Sequence, residues 1–114
     1  MAKNPPKAVG LLQQFLSIAR SILTNQVDLP SGILRLDATL YWLAQHDIKP
    51  LTDDEWELVE AYHAQIINFP LGEERLAWEP SALQKVSEEL EQLNNLYRPQ
   101  LLTLLNRVVN EQVL

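Results

Sequence analysis

Cysteine is absent from all 114 residues. That excludes disulfides, thiolate metal sites and cysteine nucleophiles, and a fold that needs no oxidising compartment is expected in the cytoplasm. Glycine is nearly as scarce. The three glycines, at positions 10, 32 and 72, cannot form the phosphate-cradling loop of a P-loop or a dinucleotide-binding fold. No apolar run reaches the ~18–20 residues of a membrane span, and the nearest candidate is interrupted by Gln13, Gln14 and Arg20. The opening Met-Ala-Lys-Asn-Pro-Pro-Lys leads into an amphipathic stretch rather than a short apolar core with a cleavage site, so no export signal is read. Alternation with β-branched enrichment is missing throughout, and no repeat of solenoid length occurs.

What is present is a composition of 46% hydrophobic and 21% charged residues, which is that of an ordinary packed domain. A chain of this length has room for one core, so residues 1–114 are expected to form a single helical domain with a flexible N-terminus over 1–6. The formal charge of −6 is unevenly spread. Residues 50–91 carry eleven acids against two bases, leaving −9, whereas the flanking segments are weakly positive. Such a field repels phosphate backbones, so direct binding of nucleic acid is not expected, and it steers basic protein surfaces inward.

Apolar residues recur at three- and four-residue spacing in four stretches, and each predicts an amphipathic helix. The first spans Lys7 to Gln26, with Leu11, Leu12, Phe15, Leu16, Ile18, Ala19, Ile22 and Leu23 on one side. The second runs from about Ser31 to Gln45 behind the turn formers Asp28-Leu29-Pro30, with either Asp28 or Ser31 as its N-cap. Its stripe is Ile33, Leu36, Leu40 and Leu43, and Arg35, Asp37, Thr39 and Gln45 are assigned to other faces. The third helix starts at Asp53, because Thr52 and Glu55 have the spacing of a capping box, and it lasts until Phe69-Pro70-Leu71-Gly72. Its inward positions are read as Trp56, Val59, Tyr62, His63, Ile66 and Ile67. One helical turn over Glu73 to Trp78, carrying Leu76 and Trp78 inward, would precede the fourth helix. That helix starts at Glu79-Pro80-Ser81 and reaches about Asn110, kinked or split at Pro99. Helices this short bury their stripes against one another, so an all-α, four- to five-helix antiparallel bundle follows.

Chemistry has few candidates. Glu60 and His63 stand one turn apart, half of the pattern of carboxylate-bridged di-iron bundles, but a second Glu-x-x-His is missing, since His46 has Leu43 at that position. No metal, cofactor or catalytic residue is therefore assigned. Asp53, Asp54, Glu55 and Glu57 open a helix, where capping and the helix dipole account for them. No serine sits in a Gly-x-Ser-x-Gly elbow. The adjacent Tyr41 and Trp42 differ in direction by about 100°, so one of them is expected to be half exposed. A protein-binding surface is accordingly sought among Tyr41, Trp42, Asp53, Asp54, Trp56, Glu57 and Glu60.

The stretch Ala19-Arg20-Ser21-Ile22-Leu23-Thr24-Asn25-Gln26-Val27-Asp28-Leu29-Pro30-Ser31-Gly32-Ile33-Leu34-Arg35-Leu36 resembles a small helical family of uncharacterised bacterial proteins, mostly gammaproteobacterial. In that family a helix ends in glutamine, a short polar turn with glycine follows, and an Arg-Leu or Arg-Ile pair opens the second helix. The resemblance implies an all-helical soluble protein and no established activity.

Three functions are consistent with these features. The first is a non-enzymatic adaptor, regulator or immunity-type inhibitor with a basic protein partner. The second is a self-associating homodimer, and the third is a metal-binding helical-bundle enzyme centred on Glu60 and His63.

Overall fold

Four helices account for nearly everything that the computed structural model describes, which is residues 6–69 and 77–111. They are α1 (Pro6–Leu23), α2 (Leu29–Ala44), α3 (Asp53–Ile66) and α4 (Pro80–Glu111), and no strand occurs among the described residues. Each neighbouring pair packs side by side, α1 on α2, α2 on α3, α3 on α4 and α4 back on α1. The short connections 24–28 and 45–52 force α1, α2 and α3 to alternate in direction. Cross-links from Glu55 to Arg107 and from Tyr62 to Asn94 run α4 antiparallel to α3. The protein is an all-α antiparallel four-helix bundle.

Local chemistry sets the helix ends. Asp28, rather than Ser31, caps α2, and its carboxylate accepts from the Ser31 N–H at 3.0 Å, with Pro30 in the first turn. At α3 both halves of the capping box form: Thr52 Oγ1 accepts from the Glu55 N–H at 3.2 Å and Glu55 Oε1 from the Thr52 N–H at 2.9 Å. The turns after α1 and α2 contain Asn25 and Asp47 at φ of 60° and 59°, a left-handed conformation that these two short polar residue types tolerate best after glycine.

The core gathers Phe15, Leu16, Ala19 and Ile22 from α1 and Ile33, Leu36, Leu40 and Leu43 from α2, joined by Val59, Tyr62 and Ile66 from α3 and Leu101, Leu104, Leu105 and Val108 from α4. Gly32 lets α1 and α2 approach closely. A Cβ there would lie 2.7 Å from Ile22 Cδ1 and 3.3 Å from Val27 Cγ1.

Of the two alternatives expected at Pro99, α4 takes the unsplit one and runs through it as one 32-residue helix. Pro99 and Asn95 are both exposed, so water can satisfy the Asn95 carbonyl that proline leaves without its helical donor. Ile67 follows the end of α3 and is exposed, and Trp78 is 40% exposed rather than turned inward. The remainder of the turn expected over Glu73 to Trp78 lies almost wholly outside the described residues, as does the flexible segment expected over 1–6, save that α1 starts at Pro6. Among the described residues, no helix is long and apolar enough to cross a membrane.

Candidate functional site

Helix α3 turns Val59, Tyr62 and Ile66 into the core, which leaves its opposite side to Asp53, Asp54, Glu57, Glu60 and Ala61, all exposed, with Trp56 half-buried among them. Two concave surfaces meet at this ridge. One, of about 780 Å³, is a shallow open depression on α3 itself, lined by Asp53, Trp56, Glu57, Glu60 and Ala61. The other, of about 600 Å³, lies between α3 and α4 and takes Asp54, Glu57 and Leu58 from one wall and Gln100, Thr103 and Leu104 from the other. The five residues singled out on α3 from sequence therefore share one surface. Asp53, Asp54 and Glu57 form no ion pair with any described residue.

Glu55 is tied down instead. Arg107 Nε donates to its Oε2 at 2.6 Å and Arg107 Nη2 donates to its Oε1, while Nη2 also reaches the Pro50 carbonyl at 3.1 Å. Burial raises the Glu55 pKa, but the Arg107 hydrogen bonds and those from Thr52 outweigh it, and the carboxyl is held below its ordinary range. This fork fixes the start of α3 against the end of α4 and keeps the groove between them open at a set width.

Tyr41 and Trp42 are both exposed, at 57% and 52%, where one was expected to be. Their rings meet edge to face with centroids 5.3 Å apart, and the Lys7 ammonium lies 5.9 Å above the Trp42 ring. This cluster bridges α1 and α2 and lines neither groove beside α3, so the seven sequence candidates divide into two surfaces.

Sequence reasoning missed Asp37. It was assigned to an outer face, yet its side chain is only 12% exposed and lies against α3, where Asp37 Oδ2 and His63 Nδ1 are 3.0 Å apart. Its carboxyl also faces that of Glu60, and the Trp56 indole N–H donates to Glu60 Oε1 at 3.0 Å. Burial pushes the Asp37 carboxyl up to about 6, helped by the hydrogen bond and the charge of Glu60 and opposed by His63 and Trp56. Glu60 moves the other way, chiefly because Asp37 donates to it, with Trp56 and His63 adding to the effect against burial. Of the two carboxyls, Asp37 is therefore the one that keeps its proton to the higher pH. The Glu60–His63 spacing was a visible signal for this cluster, whereas the third member comes from another helix.

Comparison with known proteins returned no match: no family model, no curated sequence and no solved structure is similar to this chain.

Proposed function

We propose that the protein is a non-enzymatic binding module of the cytoplasm that docks a basic segment of another protein on the outward ridge of α3. The resemblance of residues 19–36 to a helical family carries no activity, so the reading rests on this surface. One observation carries it: Asp53 and Glu57 stand exposed beside Trp56, and Asp54 stands exposed with Glu57 along the groove toward α4, all three without a cationic partner among the described residues. Unpaired acids keep their full attraction for an incoming cation, and a half-buried indole supplies apolar area that a lysine or arginine stem can cover. Aromatic anchors ringed by charge are common centres of protein interfaces.

The test is binding of a lysine- and arginine-rich peptide at low ionic strength, read by calorimetry. Affinity should fall as salt rises and should fall at least tenfold in the triple variant Asp53→Asn/Asp54→Asn/Glu57→Gln, with helicity unchanged by circular dichroism. No binding at low salt, or binding that the triple variant retains, refutes the reading.

A second reading, a homodimer, draws support from a different place. Leu96 is 67% exposed at the rim of a groove that also contains Phe69 and Leu93, and such a patch is covered when two copies meet about a two-fold axis. Light scattering at micromolar concentration tests it: a doubled mass that reverts to one copy in Leu96→Asp supports a dimer, and a single-copy mass for the wild type removes it.

A further inference from the structure

Asp37, Glu60 and His63 are the one set of described residues that brings three metal-ligating side chains together, their ligand atoms lying within 4.8 Å of one another. We propose that these three side chains bind a divalent transition-metal ion, with zinc the expected occupant, on the seam between α2 and α3.

Two carboxyl groups and an imidazole converge from two helices on one point, which is the arrangement that a divalent ion ties together. An imidazole nitrogen on the third side makes the donor set one nitrogen and two oxygens. That composition suits zinc, which takes three protein ligands and water, and not calcium, which wants six to eight oxygens. The spacing is close to what is needed. Bonds of about 2.0–2.2 Å in a tetrahedral site put ligand atoms roughly 3.3 Å apart, and His63 Nδ1 and Asp37 Oδ2 already stand 3.0 Å apart. The Glu60 oxygen lies within 4.8 Å of the other two ligand atoms, a gap that rotation of its longer side chain would close.

The supports are rigid. Asp37 follows the fully buried Leu36, while Glu60 and His63 directly follow the fully buried Val59 and Tyr62, so the core holds all three backbone positions. The Trp56 indole N–H on Glu60 Oε1 orients that carboxylate, which is the part that an outer hydrogen-bonding partner plays around bound metals. Side-chain exposures of 12% for Asp37 and 31% for His63 leave one side open for the ion to enter and for water to complete its coordination.

The experiment uses the full chain stripped with a chelator and titrated with zinc chloride by calorimetry, alongside nitrogen-15 shifts of the two histidines. One equivalent should bind, and the shift should move at His63 Nδ1 and not at His46. Asp37→Asn, Glu60→Gln and His63→Gln should each weaken binding by about a hundredfold, Trp56→Phe by about tenfold, and His46→Gln not at all. The Trp56 variant keeps all three ligands, so its loss reads the geometry of the site and not the integrity of the fold. Failure of the wild type to take up zinc, a shift at His46 alone, or one-to-one binding that survives His63→Gln overturns the proposal.

Discussion

Tyr62 is fully buried yet ends in a hydroxyl, and that hydroxyl donates to Asn94 Oδ1 across the seam between α3 and α4. Burial pushes the phenol pKa above its usual range, so the group stays a donor at every pH at which the protein folds. Tyr62→Phe should cost about 1–2 kcal/mol in urea unfolding, because Asn94 is left buried and short of a partner. The double change Tyr62→Phe/Asn94→Leu should recover most of that loss. Glu55 gives a pH test. Its pKa is lowered on folding, so the unfolded chain takes up the proton first; the stabilisation is complete above the ordinary carboxyl value of 4.5 and drains away as pH falls below it. Urea midpoints should therefore drop more steeply below pH 4.5 for the wild type than for Glu55→Gln. At this scale the sequence was half legible. Thr52 and Glu55 announce their mutual cap because they lie three residues apart, but the second bond of Glu55, to Arg107, closes over 52 positions and leaves no local trace. Asp37 failed for a related reason. It sits at the edge of the apolar stripe, and whether an edge position meets water or a neighbouring helix depends on how two helices are rotated against one another.

Periodicity recovered all four helices because the 3.6-residue repeat is a property of each segment alone. Their starts were placed to within about two residues where a side chain caps them, as at Thr52, and less well at the end of α1, where Asn25 turns the chain without glycine or proline. Two glycines inside helices make opposite predictions. Gly10 has open space around its Cα, so Gly10→Ala should add about 0.5–1 kcal/mol through helix propensity. Gly32→Ala gains the same propensity but drives a methyl into Ile22 and Val27, for a net loss of about 1–2 kcal/mol. Thermal melts of the two variants should shift in opposite directions. Asn94 was invisible at this scale, because a polar residue on the inner face breaks the pattern that identifies that face.

Taken whole, the molecule measures 58 × 26 × 23 Å, and the long dimension comes from α4, which outruns helices of 14 to 18 residues. Its first ten residues contain no fully buried side chain, whereas Leu101, Leu104, Leu105 and Val108 are buried in the bundle. Amide exchange should be fast over 82–88 and slowest over 101–108, by a hundredfold or more, as roughly 3 kcal/mol of extra opening free energy implies; uniform protection along α4 would contradict this. The concentration of acids in the middle third was legible from composition. Their gathering onto one ridge, and the separation of Tyr41 and Trp42 from it, followed only from the packing. Leucines along α4 are interchangeable enough that apolar cover alone would let the helix settle one turn up or down against α3. The phenol and the amide have no such freedom, since a slip of one turn strands both in hydrocarbon. Together with the Arg107 fork on Glu55, that pair acts as a locating pin, and it thereby fixes which residues of α4 form the far wall of the groove beside the acidic ridge.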